Sequence, residues 1–285
     1  MEEGRWRGWD NAEIYERFVR ERRIYAWLNE RLVERAAPER ARRVLDLGCG
    51  TGATTRAFLR RLPAGGEIVG IDASREMVEV ARAATLDPRA RFVVGDAAAA
   101  DRLVEGPFDR AVSNAAFWQL GDPREVLRAL GALLAPGALL VFDVPAERVP
   151  GAAAPIHPFQ VALARAIEAR IGEPWVPTAT PFDPAAFGEE AEAAGFAVAS
   201  IERLEWEGPQ GELIELMEIP AMIAPLARGL DAAQTEAALA EAKAASDPRE
   251  RVRVPWLYFV VERRQAPRKR SIAAAQRAAS PAQGT

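Results

Sequence analysis

Alternating strand-like and helix-like segments between residues 40 and 145 constrain the fold of this chain more than any other feature. Strand patterns occur in RRVLDL, EIVGID, ARFVVGD, FDRAVSN and ALLVFDV, and helical patterns separate them, as in SREMVEVARAA and PREVLRALGALL. The spacing of apolar residues switches repeatedly between the period of a strand and that of a helix. Short strands separated by helices favour a parallel sheet covered on both faces. The sequence therefore predicts an α/β fold with a doubly wound sheet.

The rest of the chain predicts additions to this sheet within one domain. Apolar residues recur at helical spacing over 10–36, which predicts one or two helices before the first strand. A sixth and a seventh strand are predicted in FAVASIERLEWEG and RVRVPWLYFVVERR. We therefore expect a seven-stranded, mostly parallel sheet in a single domain over 1–265, with residues 40–145 as its core.

Two segments between the predicted strands are longer than simple connections need. They span 146–181 and 212–245, contain helical patterns and are neutral to acidic in charge. We expect both segments, together with 10–36, to form a lid over a bound substrate. Residues 266–285 are poor in bulky apolar types and rich in Ala, Ser and Arg, which predicts a disordered tail.

Composition and charge argue against several kinds of partner. The chain has 37 basic and 41 acidic residues and a formal net charge of -4, so it lacks the positive field that attracts nucleic acids. No apolar run approaches the roughly 20 residues needed to cross a bilayer. Cys49 is the only cysteine, so we expect neither an intramolecular disulfide nor a zinc site. The expected protein is cytoplasmic, without nucleic-acid, membrane or metal partners.

The sharpest local signal is VLDLGCGTGATT, in which Gly48, Gly50 and Gly52 form a tight loop between a strand and a helix. Glycines let the backbone turn sharply and let a ligand lie against it. At the end of the first strand of a doubly wound sheet, such a loop is the expected place for an adenosine-type cofactor. Gly48, Gly50 and Ala53 also satisfy the G-x-G-x-x-G/A spacing of dinucleotide binders. The loop alone therefore leaves a nicotinamide-dependent oxidoreductase open.

Three acids at successive strand ends favour a cofactor that carries positive charge. Asp46 precedes the glycine loop, where a carboxylate repels a pyrophosphate and attracts the ammonium group of an amino acid. Asp72 ends the second strand, where its two oxygens can accept hydrogen bonds from both ribose hydroxyls. Asp96 ends the third strand and can accept a hydrogen bond from an adenine amino group. Dinucleotide binders do not generally require an acid at this last position.

These motifs resemble those of a known family. LDLGCGTG, GIDAS, GDAAAA and FDRAVSN are similar to the successive cofactor motifs of class I S-adenosylmethionine-dependent methyltransferases. The resemblance covers about the first half of the chain, and the broad outline is similar to the ubiquinone- and biotin-pathway branch. It implies a Rossmann-like methyltransferase fold with S-adenosyl-L-methionine as the cofactor and a small molecule as the methyl acceptor.

The resemblance also implies which residues hold the methionine and ribose parts of the cofactor. Asp46, Gly48 and Gly50 are expected at the methionine part, and Asp72 at the ribose. In related enzymes an N-terminal helix closes over the cofactor, so Tyr15 is expected to reach its carboxylate. Placement of Tyr15 in the core or on the surface is the alternative.

The adenine and the sulfonium have their own expected neighbours. By the same resemblance, Asp96 and Ala97 are expected to bind the adenine, and Ala73 and Met77 to pack on it. Asn114, which follows the fourth strand, is expected to line the site near the sulfonium.

The acceptor pocket is expected over the strand ends, with an aromatic and apolar lining. Phe117 and Trp118 in SNAAFWQL are predicted to line it, and ordinary core packing is the alternative. This segment lacks the NPPY or DPPY motif of typical N-methyltransferases, which disfavours nitrogen as the acceptor. His157 is the only histidine and lies between two prolines in the first lid segment. It is a candidate general base, with a loop residue as the alternative.

The predicted function is therefore methyl transfer from S-adenosylmethionine to an oxygen or carbon of a small, largely apolar biosynthetic metabolite, by a monomer or homodimer. Because the methyl group is already activated, the protein mainly aligns the acceptor with it. Two alternatives stay open: a non-methylating cyclase-type enzyme on the same scaffold, and an NAD(P)-dependent oxidoreductase, which Asp46 and Asp96 oppose. An RNA methyltransferase would need a basic addition, and neither lid segment is basic.

Overall fold

The computed structural model describes residues 5–175 and 181–264, so the predicted tail over 266–285 lies outside the described residues. In the described ranges the strands are β1 (Arg43–Leu47), β2 (Glu67–Asp72), β3 (Ala90–Val94), β4 (Phe108–Ser113), β5 (Leu134–Pro145), β6 (Phe196–Pro209) and β7 (Arg251–Arg263). They form one sheet in the order β3-β2-β1-β4-β5-β7-β6. β1 to β5 pair in parallel, and β7 lies antiparallel between β5 and β6. The predicted seven-stranded, mostly parallel sheet is confirmed.

Helices precede, connect and flank these strands. The described residues contain α1 (Trp9–Glu21), α2 (Arg23–Ala36), α3 (Ala53–Leu59), α4 (Arg75–Ala84), α5 (Ala100–Leu103), α6 (Pro123–Leu133), α7 (Pro158–Ile171), α8 (Pro184–Ala193), α9 (Gln210–Leu216), α10 (Pro220–Ile223) and α11 (Ala232–Ala244). At the start of α6, Asp122 accepts a hydrogen bond from the Arg124 N–H at 2.9 Å, and Pro123 is the first helical residue. No helix within the described ranges has the length and apolar character needed to cross a membrane.

Two hydrophobic clusters cover the two faces of the sheet. On one face, Leu45 and Leu47 of β1 pack with residues of α6 and α8. On the other face, Val44 packs with residues of α2 and α3. Side chains alternate along a strand, so Asp46 points to the same face as Val44. By the same alternation in β5, Asp143 also points to the face covered by α2 and α3.

The two predicted lid segments contribute helices that pack on each other. Phe159 of α7, in the segment 146–181, shares a third hydrophobic cluster with Ala238 of α11, in the segment 212–245. The segments therefore form a small core of their own beside the sheet. Their role as a substrate lid stays a prediction.

Hydrogen bonds tie this small core to the N-terminal helices. Glu212 is buried, and its Oε2 accepts from the N–H groups of Arg23 and Ile24 at 2.9 and 2.8 Å. These N–H groups belong to the first turn of α2, which has no partners for them within the helix. Asn11 of α1 accepts from the Ala221 N–H at 2.8 Å. The N-terminal helices and the second lid segment thus hold each other in place.

Candidate active site

The turn from β1 into α3 requires glycine. Gly48, Gly50 and Gly52 have φ values of +65°, +51° and +83°, in the region that residues with a side chain rarely adopt. A Cβ on Gly48 would lie 2.8 Å from the Cβ of Ala116, which is too close without a shift. The Gly48 N–H donates to the Ile71 carbonyl at 2.8 Å. The loop is therefore held between the end of β2 and the segment that follows β4.

Asp72, at the end of β2, holds the glycine loop from the side. Its Oδ2 accepts from the Gly50 N–H at 2.8 Å, and its Oδ1 accepts from the Ser74 N–H at 2.9 Å. Burial raises the pKa of Asp72, and these two backbone hydrogen bonds lower it. Each carboxylate oxygen has a second lone pair, so the contact with the loop leaves acceptor capacity for ribose hydroxyls. Of the two residues predicted to pack on the adenine, Ala73 is exposed and Met77 is buried.

Asp46 is fully buried beneath the loop and has one unpartnered oxygen. Its Oδ2 accepts from the Thr55 hydroxyl at 2.7 Å, whereas its Oδ1 has no hydrogen-bond partner among the described residues. Burial raises the pKa of Asp46 to about 7, with Thr55 opposing the rise and Asp72 adding to it. A buried oxygen without a donor is costly. An ammonium group placed against it would remove that cost and stabilise the ionised carboxylate.

The ends of β3 and β4 bring two further predicted residues to the same edge of the sheet. Asp96 is exposed and caps the single-turn helix Ala97–Ala99, because its Oδ1 accepts from the Ala98 N–H at 2.9 Å. Ala97 itself is buried. Asn114 is buried after β4, and its Oδ1 lacks a partner among the described residues. The predicted contact of Asp96 with an adenine thus depends on the carboxylate oxygen that the cap does not use.

Asp143 belongs to this site and was not predicted. Its Oδ1 accepts from the Ala115 N–H at 2.6 Å, and Ala115 has a φ of +52°. Its Oδ2 has no partner among the described residues, and burial raises the pKa of Asp143 to about 8. The carboxylate therefore holds the strained turn that follows Asn114. The available signal was a lone acid inside the otherwise apolar strand pattern ALLVFDV.

Tyr15 of α1 lies over the glycine loop. A Cβ placed on Gly50 would lie 3.4 Å from Cε1 of its ring, an ordinary van der Waals distance, so the ring lies next to the loop. The ring makes edge-to-face contacts with Trp6 and Tyr25, each with ring centroids 5.6 Å apart. Burial raises the pKa of Tyr15, and the nearby Tyr25 and Asp72 raise it further. The structure thus brings Tyr15 to the predicted loop, while its contact with a cofactor carboxylate stays a prediction.

Phe117 packs in the core, which favours the core-packing alternative over a place in the acceptor pocket. The side chain is 2% exposed, and its ring stacks on Phe142 with the centroids 3.9 Å apart. Phe182 and Phe187 contact the same ring edge-on. A phenylalanine has no polar atom to satisfy, so full burial among other rings is its most stable placement.

Trp118 lies at the border of this aromatic core and packs, partly buried, against the clusters on both faces of the sheet. Its ring lies 5.9 Å from that of Trp256, and the guanidinium of Arg148 lies over it, 5.4 Å from the ring centroid. The indole Nε1 is buried and has no acceptor among the described residues. The neighbouring Gln119 donates to the Ala115 carbonyl at 3.2 Å. Trp118 therefore combines an apolar face, an unused donor and a nearby cation on the segment that follows Asn114.

His157 is the N-cap residue of α7. Its backbone N–H donates to Oε1 of Gln160 at 3.0 Å, and Pro158 is the first helical residue. The side chain is buried, and burial lowers the pKa of the imidazole. In the described part of the chain no hydrogen bond joins this imidazole to the acids at the strand ends. The structure therefore supports a helix-capping role and does not bring the candidate general base together with the glycine loop.

An open cleft lies at the opposite edge of the sheet and contains none of the predicted site residues. It has a volume of about 660 Å³ and is lined by residues at the amino ends of the strands, including Arg43, Glu67 and Arg89. Arg43 pairs with Glu67, and Arg89 pairs with Asp87. Ligands of open α/β sheets bind outside the carboxyl ends of the strands. We therefore place the functional site at the glycine loop.

Buried polar atoms without partners converge at the carboxyl ends of the strands. Among the described residues they include Asp46 Oδ1, Thr51 Oγ1, Ser113 Oγ, Asn114 Oδ1, Trp118 Nε1 and Asp143 Oδ2. Folded proteins satisfy the great majority of their buried polar groups. A group of unsatisfied atoms around one loop therefore indicates a place where a ligand supplies the missing partners.

A family model agrees with this geometry. Residues 15–201 match the model of a family described as a methyltransferase domain. The chain belongs to this methyltransferase family. The matched residues include the glycine loop, the acids at the ends of β1 to β3, and Asp143. The methyltransferase family predicted from the sequence motifs is confirmed.

Two curated relatives resemble part of this methyltransferase. Trans-aconitate 2-methyltransferase from Delftia acidovorans is 36% identical over 139 residues, which cover 48% of this chain and 50% of the relative. Malonyl-[acyl-carrier protein] O-methyltransferase from Halalkalibacterium halodurans is 35% identical over 127 residues, which cover 42% and 45%. The chain thus spans about half the length of the curated relatives it matches.

A solved structure shows the same fold. The crystal structure of geranyl diphosphate C-methyltransferase from Streptomyces coelicolor A3(2), in complex with Mg2+, geranyl-S-thiolodiphosphate and S-adenosyl-L-homocysteine, matches with a TM-score of 0.50. The sequences are 14% identical, and the match covers 85% of this chain and 77% of that chain. The likeness establishes a shared Rossmann-like methyltransferase fold.

Proposed function

We propose that this methyltransferase-family chain transfers a methyl group from S-adenosylmethionine to an oxygen or carbon of a small metabolite. The observation that carries the proposal is Asp46, a fully buried carboxylate whose Oδ1 has no partner among the described residues, beneath a loop whose three glycines have positive φ. Family membership supports methyl transfer, the name of trans-aconitate 2-methyltransferase supports a small acid as the acceptor, and the name of malonyl-[acyl-carrier protein] O-methyltransferase supports oxygen as the methylated atom.

The residues at the strand ends fit this cofactor. S-adenosylmethionine, when bound, supplies an electrophilic methyl group on a positively charged sulfur. Asp46 would hold the ammonium group, and the backbone of Gly48 and Gly50 would lie against the methionine part. Asp72 would accept from the ribose hydroxyls, and Asp96 from the adenine amino group.

Charge at the site favours a cationic cofactor over a dinucleotide. Asp46 and Asp72 lie at the carboxyl ends of β1 and β2 and are largely removed from water, where charges interact more strongly than in solvent. A pyrophosphate would add negative charge beside them, whereas an ammonium group and a sulfonium would compensate it. The oxidoreductase alternative therefore lacks electrostatic support.

The chain's own contribution to the transfer is mainly alignment. Asp143 holds the turn at Ala115, and the next residue, Ala116, lies against Gly48 of the glycine loop. Tyr15 of α1 lies beside Gly50, and Trp6 packs against the Tyr15 ring. Holding the two reactants in near-attack geometry supplies a large part of the rate enhancement of such a displacement.

Calorimetric titration tests the cofactor assignment directly. The protein would be titrated with S-adenosylmethionine, S-adenosylhomocysteine and NADH, and the titrations repeated with Asp46→Asn. Asp87→Asn, which changes a surface acid paired with Arg89, is the matched control. We expect the two sulfur ligands to bind, the first variant to weaken them about 100-fold because a buried charge pair is lost, and the control to bind like the wild type.

Two other outcomes would change the assignment. Binding of NADH without binding of the sulfur ligands would overturn it. Binding of S-adenosylmethionine without release of S-adenosylhomocysteine, over a wide panel of acceptors, would favour the cyclase-type alternative.

A further inference from the structure

Among the described residues, Arg148 is a partly buried cation without an anionic partner. It ends the single-turn helix Ala146–Arg148 directly after β5. Burial lowers the pKa of its guanidinium, the charge of Glu147 raises it, and the charge of Arg5 lowers it. The Glu147 side chain instead accepts from Gln160 at 3.4 Å. Within 5–175 and 181–264, no carboxylate forms an ion pair with Arg148.

The position of Arg148 links it to the cofactor site. Its guanidinium lies over the ring of Trp118, which belongs to the segment between β4 and α6. In that segment, Ala116 and Leu120 are the nearest neighbours of a Cβ placed on Gly48. The segment between β4 and α6 therefore lies against the glycine loop through Ala116 and Leu120, and against Arg148 through Trp118.

The geometry of this pair suits the binding of a carboxylate. A guanidinium held over an aromatic ring by a cation–π contact keeps its N–H groups available to an anion. These N–H groups match the two oxygens of a carboxylate in a bidentate pair. A partly desolvated charge without a partner is costly, and a ligand carboxylate would compensate it. A phosphate monoester would bring up to two charges to a single arginine, so a carboxylate is the better match.

We propose that Arg148 binds one carboxylate of a di- or tricarboxylic acceptor and thereby selects acids over neutral metabolites. This inference rests on the proposed methyl transfer and replaces the expectation of a largely apolar acceptor. The oxygen of a second, ionised carboxylate attacks the methyl group. A new oxygen–carbon bond forms, the carbon–sulfur bond breaks, and its electron pair stays on sulfur.

An ionised acceptor explains a feature of the site that a neutral alcohol does not. The carboxylate has already lost its proton at neutral pH, so the transfer needs no general base. In the described residues His157 caps a helix and has no hydrogen bond to the acids at the strand ends. The absence of a contacting histidine is therefore compatible with transfer to a carboxylate oxygen.

The test compares acids with their monoamides. Saturated and unsaturated dicarboxylic acids of three to six carbons, each beside its monoamide, would be assayed for release of S-adenosylhomocysteine. Binding of each acid to the protein loaded with S-adenosylhomocysteine would be measured by calorimetry, which gives a readout independent of turnover. Arg148→Met, Arg148→Lys and the control Arg60→Met, at an exposed arginine, would be compared with the wild type.

We expect Arg148→Met to lower kcat/KM for the preferred acid about 100-fold, mainly through KM, because a hydrogen-bonded charge pair is lost. The preference for acid over monoamide should fall nearly to unity. Arg148→Lys should keep part of the kcat/KM and part of the preference for acids, because lysine retains the positive charge but cannot form the bidentate pair of a guanidinium. The kcat/KM of Arg60→Met for the preferred acid should stay within about twofold of the wild type. The affinity of every variant for S-adenosylhomocysteine should also stay within about twofold.

Three results would overturn the inference, each distinguishable from a failure of the proposed function. The first is an unchanged preference for acids in Arg148→Met with normal binding of S-adenosylhomocysteine. The second is wild-type protein that binds S-adenosylhomocysteine but neither binds nor methylates any acid. The third is an Arg148-dependent preference for phosphomonoesters. Wild-type protein that fails to bind S-adenosylhomocysteine would instead overturn the cofactor assignment itself.

Discussion

The proposed cofactor half and the proposed acceptor half of the site are built in different ways. In the proposed cofactor half, Asp46 and Asp72 lie within the last two residues of β1 and β2, Asp96 follows β3, and parallel strands bring these ends to one edge. In the acceptor half, Trp118 and Arg148 come from loops after two different strands and meet only through the packing of those loops. Regular structure positions the first half, whereas side-chain packing positions the second.

The two halves also differ in how well they should tolerate substitutions. The proposed cofactor half holds buried carboxylates whose pKa values are raised, and it depends on a glycine backbone with positive φ and a close neighbour at Gly48. The acceptor half depends on side chains that can be replaced without moving the backbone. Substitutions in the first half should therefore abolish binding, and those in the second should redirect it.

The largest effect is expected from Gly48→Ala. A methyl group there meets the Cβ of Ala116 at 2.8 Å, and the φ of +65° is strained for alanine. Binding of S-adenosylhomocysteine should become undetectable by calorimetry, and urea unfolding should show a loss of about 2 kcal/mol. The control is Gly65→Ala, where nothing lies within 4 Å of the added Cβ. If Gly48→Ala bound S-adenosylhomocysteine as tightly as the wild type, the proposed difference between the two halves would be wrong.

The next effect is a dependence of cofactor affinity on pH. Asp46 has a pKa of about 7 in the unliganded protein, and a bound ammonium group would lower it. Binding should therefore release a proton, and the ionised form of Asp46 should be the one that binds. As pH falls from 7 to 5, Kd for S-adenosylhomocysteine should rise about tenfold per unit. Titrations of wild type and Asp46→Asn at several pH values check this, because the variant should lose the dependence.

Phe117 and Trp118 provide a comparison between adjacent residues. Phe117→Ala should destabilise the fold by about 3 kcal/mol in urea unfolding, because its ring fills the aromatic cluster under α8. Its KM for the acceptor should change little. Trp118→Ala should raise KM for the acceptor about tenfold through loss of the surface on which Arg148 lies. The reverse pattern would place Phe117 in the acceptor pocket, as the sequence predicted.

The smallest effect is expected from His157→Asn. Asparagine caps helices well, so α7 should keep its start and the unfolding free energy should change by less than about 1 kcal/mol. Turnover should stay within about threefold of the wild type, and the pH–rate profile should keep its shape. If turnover instead fell about 100-fold or more with an unchanged fold, His157 would be restored as the general base.

Several features of this protein were predictable from the sequence alone. The sheet, the glycine loop and the family followed from patterns that are local in the chain, such as strand periodicity and a run of glycines before a helix. Asp46, Asp72 and Asp96 were also predictable as a group, because each directly follows or ends an apolar run. Parallel strands then place such residues at one edge without further information.

Other features were decided by the tertiary structure. Phe117 and Trp118 are adjacent in a single turn of helix, and only the packing of α8 and β7 determines that one ring enters the core while the other meets Arg148. Asp143 stabilises a turn 28 residues away in the chain, which no local pattern reveals. The physical reason is the same in each case. Local patterns record backbone period and turn chemistry, whereas the direction of an individual side chain depends on neighbours that only folding brings together.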